Sequence, residues 1–227
     1  MDKQPSLRDS IGQLLRENRL VIQLEVLLLT AFVLLGVQNK VFYFLLIGWL
    51  SLWLRRVGWR GIGLRAPSDW RRTILLGILI GAVYQAFSIL LLVPFLHRLT
   101  GTALDLSQFA SLPGSIPNLI LWLAVSWIFA AFLEELAYRG YVFSRITDLL
   151  GDSRWSLGIG VFLSAAFFGL AHLSQGVSGV LETFVFGAVL SGLYLYSGRN
   201  LWLPIIAHGV NNTFGFLLIF FGLLPIT

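Results

Sequence analysis

Residues Trp122 to Arg139 read WLAVSWIFAAFLEELAYR: twelve residues without a charge, two adjacent glutamates, Glu134 and Glu135, then Arg139 four positions after the second. A charge at the centre of a membrane-spanning helix costs about 2.5–3.5 kcal/mol on insertion scales, so carboxylates there are functional candidates by default. Helical geometry separates the two. Glu135 and Arg139 stand at i and i+4 with the acid N-terminal, the better order for a helical ion pair. Glu134 lies about 100° further round the helix and cannot share that pairing equally. Glu135 is therefore the anchored partner, and Glu134 is left to face a cavity, where a carboxylate can act as a general base.

The rest of the chain places this helix in a bilayer. Hydrophobic residues make up 57% of the 227 residues against 12% charged, and the mean hydropathy is +0.82. A span needs about 20 mostly apolar residues, so the length allows about seven spans and no separate soluble domain. The expected fold is an all-α, polytopic transmembrane helix bundle of about seven helices, one integral membrane domain over residues 1–227. Apolar runs predict spans at about 20–37, 41–54, 73–96, 117–138, 156–175, 180–197 and 201–222. Pro94, Pro113, Pro117 and Pro204 are expected at span ends or starts. Trp49, Trp53, Trp122, Trp127, Trp155 and Trp202 are expected at the interfaces. Residues 1–19, with Asp2, Lys3, Arg8, Asp9, Arg16, Glu17 and Arg19, are too long and too acidic for a signal-peptide n-region, so the first apolar run reads as a retained helix. The absence of cysteine excludes disulfides, cysteine nucleophiles and thiolate metal sites.

The cations set the orientation. With the N-terminus inside, thirteen Lys and Arg fall on inner segments: Lys3, Arg8, Arg16 and Arg19, six between Arg55 and Arg72, then Arg145, Arg154 and Arg199. Only Lys40 and Arg98 fall outside, a strong positive-inside bias. That explains the pI near 10 better than nucleic acid, which is not an expected partner. The N-terminal 1–19 is thus expected in the cytoplasm. Small residues recur four apart at Gly77 and Gly81, Ala165 and Gly169, Gly187 and Ser191, and Ala188 and Gly192, a spacing that lets helix backbones approach.

Two further polar pairs lie inside apolar runs at i and i+4: Phe168 with His172, and His208 with Asn212. Each alone is ordinary packing chemistry. A carboxylate, two imidazoles and a carboxamide on three helices of one small bundle are the parts of an acyl-hydrolase site. Glu25 and Glu182, single acids without a partner motif, are expected to snorkel or cap near span ends.

Glu-Glu-x-x-x-Arg (Glu134, Glu135, Arg139), Phe-x-x-x-His (Phe168, His172) and His-x-x-x-Asn (His208, Asn212), in that order, resemble the CPBP family of intramembrane proteases. That family includes the type II CAAX prenyl endopeptidases and the Abi proteins linked to bacteriocin processing and immunity. The resemblance covers the last four helices, and Gly61 to Arg65 (Gly-Ile-Gly-Leu-Arg) also looks like the loop before the family's conserved half. It implies a catalytic core over residues 115–222, accessory helices over 20–114, and intramembrane hydrolysis of a peptide bond in a peptide, lipidated protein or membrane protein. By the same resemblance Glu134 activates water, His172 and His208 orient it and stabilise charge, Asn212 helps hold the oxyanion, and Glu135, Arg139 and Phe168 support the site. The expected location is a prokaryotic cell membrane, with bilayer lipid as a constant partner.

Glu134, His172 and His208 would also make a His₂Glu zinc set. No His-Glu-x-x-His helix is present, and a metal-bound Glu134 would leave the base unassigned, so the cofactor-free version is expected. A scaffold or bacteriocin self-immunity protein of the same fold is one alternative, and a proton-coupled transporter is another. The transporter would show repeated halves with broken helices, whereas here the polar residues crowd into the C-terminal half. One difficulty concerns depth. Simple spans put Glu134 and His172 on the order of 10–20 Å apart along the membrane normal, so either the helix of Glu134 runs past Gly140 or the next helix starts deeper.

Overall fold

The computed structural model describes residues 6–35 and 40–224. Lys3 and the Lys40 side chain, on which the orientation reading draws, lie outside what is described, as does the end of the expected 20–37 span. The described residues form helices and connecting turns, with no strand among them. Helix α1 (Leu7–Glu17) begins at a capping box, Ser6 and Asp9 bonding each other's backbone. The Ser6 hydroxyl holds the Asp9 carboxyl below its ordinary range. Helix α2 (Arg19–Leu34) is capped by Asn18, and α3 (Lys40–Arg55) ends on an arginine, as suits a helix C-terminus. A single turn, Gly58–Gly61, leads to α4 (Trp70–Thr100), capped by Asp69. Then follow α5 (Ile116–Leu150), α6 (Arg154–Leu170), α7 (Gly176–Tyr196) and α8 (Trp202–Phe220).

Seven apolar helices, α2 to α8, match the expected runs, and four are long and apolar enough to cross a membrane: α4, α5, Leu173–Tyr196 and α8. The chain is a multi-pass integral membrane protein. Helices α2, α3 and α6, at 16, 16 and 17 residues, are shorter than a full crossing.

The boundaries correct two expectations. Pro94 does not end its span, because α4 continues through it to Thr100. The wide i→i+5 turn Ser88–Leu92 lies just before it, where a proline withdraws a donor and crowds the carbonyl four residues back. Helix α5 does not stop at residue 138 but runs to Leu150, and this removes the depth problem. Sixteen residues separate Glu134 from Leu150 and sixteen separate Arg154 from Leu170, so the α5–α6 hairpin brings Glu134 level with the end of α6.

Glycine contacts bring helices together in pairs. Gly77 and Gly81 lay α4 on α8, where a Cβ at Gly81 would run into the Ala207 carbonyl. Gly169 and Gly187 do the same between α6 and α7: a Cβ at Gly187 would stand 3.1 Å from Ala165 Cα and 3.2 Å from Arg139 Nη2. Gly192, in the same small-residue pattern, faces open space, so the Ala188–Gly192 spacing reflects no helix contact. Trp127, expected at an interface, instead covers Gly209 and donates to Thr213 Oγ1 at 3.1 Å, because α5 begins eleven residues before it. The Gly61–Arg65 loop is fastened to the α7–α8 turn by Leu201 N–H to Gly63 O (3.0 Å) and Tyr194 OH to Ile62 O (2.9 Å).

Candidate active site

Around Glu135 the helix itself is unusual. Ser126–Glu134 and Leu136–Val142 are both wound with i→i+5 bonds, a rare geometry that recurs at functional sites. Glu135 and Arg139 are fully buried and paired at 2.8 Å (Oε1 to Nη1). Arg139 Nη2 also donates to the Gly187 carbonyl at 3.1 Å, and its guanidinium lies 4.3 Å over the Phe168 ring. This cation is therefore held by an acid, a carbonyl and an aromatic face from three helices.

Glu135 has a second partner that the sequence did not indicate. His208 Nδ1 lies 2.8 Å from the same Oε1, so α8 is tied to α5 through one carboxylate oxygen. A carboxylate accepts, which puts the Nδ1 proton on the imidazole and leaves Nε2 for the cavity that His208 lines. His172, in the turn after α6, holds Nδ1 at 2.9 Å from the Phe168 carbonyl, and it lines the same cavity. Phe168 presents its edge to both imidazoles, with ring centroids 4.9 Å from His172 and 5.8 Å from His208. Phe168 thus spaces the two histidines and floors the arginine. Asn212 Nδ2 donates to Ser126 Oγ at 3.1 Å across α8 and α5.

Glu134, His172, His208 and Asn212 all line one cavity of about 540 Å³. Glu134 is partly buried, and its Oε2 is enclosed without a hydrogen-bond partner among the described residues. Leaving such an oxygen unpaired is costly unless a water or substrate group fills the place. Part of the cavity wall is apolar, from Leu104, Leu106, Phe109, Trp122 and Phe216. Among the described residues no three His, Cys, Asp or Glu side chains form a group that could hold a metal ion.

Sequence reading missed several residues here. Ser126 is the one hydroxyl in the apolar run before Glu134, a signal that could have been used. Asn211, Tyr138 and Glu182 also line the cavity. Neither Glu182 nor Glu25 snorkels. Glu182 accepts from Ser88 Oγ at 2.8 Å and Tyr84 OH at 3.2 Å, while Glu25 is buried between Arg55 and Tyr141. An acid inside an apolar helix was the signal for both, and the same argument that selected Glu134 applies to them.

Comparison with known proteins bears on this geometry. Residues 116–214, which contain the whole Glu134 to Asn212 constellation, match the family model described as type II CAAX prenyl endopeptidase Rce1-like. The chain is 28% identical over 114 residues to CAAX prenyl protease 2 of Saccharomyces cerevisiae, covering 42% of this chain and 36% of that protein. It is 30% identical over 104 residues to an uncharacterized 24.3 kDa protein of Escherichia coli, covering 45% and 46%. The alignments span less than half the length of these relatives. No solved structure matches.

Proposed function

We propose, from the type II CAAX prenyl endopeptidase Rce1-like domain that residues 116–214 constitute, that this chain is an intramembrane endopeptidase cutting a membrane-associated peptide or lipidated protein. The observation that carries this reading is Glu134 Oε2, enclosed and unpaired in a cavity shared with His172, His208 and Asn212. In this reading Glu134 takes a proton from water as its oxygen adds to the scissile carbonyl, then delivers it to the leaving nitrogen. His208, oriented through Nδ1 by Glu135, turns Nε2 to the water. There Nε2 accepts a hydrogen bond from the water and holds its oxygen toward the scissile carbonyl, while the Glu135 carboxylate fixes the ring. Asn212, braced by Ser126, has a second amide N–H for the oxyanion. The apolar part of the wall suits a lipidated or otherwise apolar substrate segment.

The test compares membrane-protein cleavage in cells carrying the wild type or Glu134→Gln, followed by assay of the purified chain. Fragments that appear only with the wild type support the reading, and identical fragment patterns overturn it. Hydrolysis on this scheme needs no tightly bound metal. Active protein should hold zinc well below one atom per chain and keep cleaving after chelator treatment. Stoichiometric zinc whose removal stops cleavage and whose return restores it would reverse that part. The cation bias also supports a cytoplasmic N-terminus. A single cysteine placed at Arg65 should resist an impermeant reagent in intact cells, and labelling there would reverse the orientation.

A further inference from the structure

The proposed reaction leaves Glu182 unused. It stands on α7 in the wall of the catalytic cavity, one helical turn before Phe186, whose ring lies 5.2 Å from that of His208. Its surroundings are built. Ser88 Oγ and Tyr84 OH both donate to Oε1, at 2.8 and 3.2 Å, and Tyr84 stacks on Phe186 at 4.5 Å. Ser88 opens the wide turn of α4, which displaces the backbone locally at this contact. Among the described residues Oε2 has no hydrogen-bond partner.

Charge separates Glu182 from Glu25 and Glu135, two other acids inside the bundle. Glu25 has Arg55 and Glu135 has Arg139, whereas Glu182 has only two neutral hydroxyls. Among the described residues no Lys or Arg lines the cavity, against two carboxylates, Glu134 and Glu182. A carboxylate removed from water needs a cation or several strong donors. The ring of described residues around Glu182 supplies no cation, and the open side of the group is the substrate cavity.

Resting on the endopeptidase reading above, we infer that Glu182 is a specificity-determining residue, binding a basic side chain of the substrate through Oε2 while Ser88 and Tyr84 hold Oε1. The cavity then selects a segment that is apolar at one end, toward Leu106, Phe109 and Trp122, and cationic near the cut. Glu182 takes no part in moving protons. Its effect lies in which peptide is held and how firmly.

The probe is a set of internally quenched farnesyl-cysteine peptides in which Lys, or its neutral counterpart norleucine, walks through the positions flanking the cysteine, assayed on the full chain in nanodiscs. At one position the wild type should favour Lys over norleucine by about tenfold or more in kcat/KM, as expected when a charge-assisted hydrogen bond is gained. Glu182→Gln, which keeps an acceptor for Ser88 and Tyr84, should bring that ratio to within about twofold. Glu182→Asp should keep its direction. A wild-type ratio near one at every position, or a preference that survives Glu182→Gln, overturns the inference, as does an equal loss on all peptides with the ratio intact. Binding of the same peptides to Glu134→Gln, read by fluorescence anisotropy, provides a second measurement. If no peptide is cleaved the endopeptidase reading fails. The Lys-over-norleucine ratio in Kd, present with Glu182 and absent in the Glu134→Gln, Glu182→Gln double variant, still decides the role of Glu182.

Discussion

The molecule contains two buried acid–arginine pairs, and they are finished differently. In the N-terminal helices Glu25 gives one oxygen to Arg55 and the other to Tyr141, while Arg55 also donates to Ser51 Oγ (2.9 Å) and to the Leu15 carbonyl. Both carboxylate oxygens are occupied, and the network joins α1, α2, α3 and α5. In the C-terminal helices Glu135 places Arg139 and His208 on one oxygen, and among the described residues Oε2 of Glu135, Nε of Arg139 and Oε2 of Glu134 have no partner. A saturated buried network holds helices together. In the unsaturated one only Glu134 and His208 reach the cavity wall, and there the network has capacity left for water or a ligand.

The sharpest break in this comparison is a pair of isosteric changes. Glu134→Gln should lower peptide hydrolysis by about 10²–10⁴-fold with a thermal midpoint in detergent close to wild type, since its group has no protein partner to lose. Glu25→Gln should do the reverse, lowering the midpoint while the cleavage rate per folded molecule holds. Equal activity losses in both would erase the distinction between closed and open networks.

Next in size, Arg139→Ala and Arg55→Ala each leave a buried carboxylate without its cation and should cost about 3–5 kcal/mol of stability by denaturant titration. Only the former should also remove activity from the folded fraction, because Glu135 orients His208. A smaller test is Gly187→Ala. Its new methyl would press on Ala165, Phe168 and Arg139 at 3.1–3.2 Å, an overpacking that typically costs about 1–3 kcal/mol, and activity should fall with it. Smallest is Tyr141→Phe, which unpairs one oxygen of Glu25 and should cost about 1–3 kcal/mol, toward the low end where water can enter. Cleavage by the folded protein should not change.

What could be read from the sequence was what repeats within one helix. The 3.6-residue period gave Glu135 with Arg139 and grouped Phe168 with His172, and the apolar runs set most helix positions. Contacts between helices were out of reach. The bond from His208 to Glu135 spans 73 residues, and that from Asn212 to Ser126 spans 86. Glu25 and Glu182 were misjudged for this reason: their partners lie on other helices, so no local motif marked them. The extension of α4 through Pro94 also escaped the sequence, while that of α5 beyond Gly140 was one of two options the depth mismatch left open. Wide turns relax rules of helix length and proline placement that assume α geometry throughout.

The local character of the Glu135–Arg139 pair also matters for how the protein is made. Its two members lie on consecutive turns of one helix, so their charges can neutralise each other as soon as that segment coils, before α6, α7 or α8 has been synthesised. Helix α5 can thus leave the insertion machinery with its arginine already masked, and later helices find a preformed anchor. The Glu25–Arg55 pair lies on two successive helices, its members 30 residues apart, and it cannot close until both helices are in place. Biogenesis of the C-terminal half can therefore begin with its arginine already paired, while the N-terminal half must carry an exposed acid until α3 arrives.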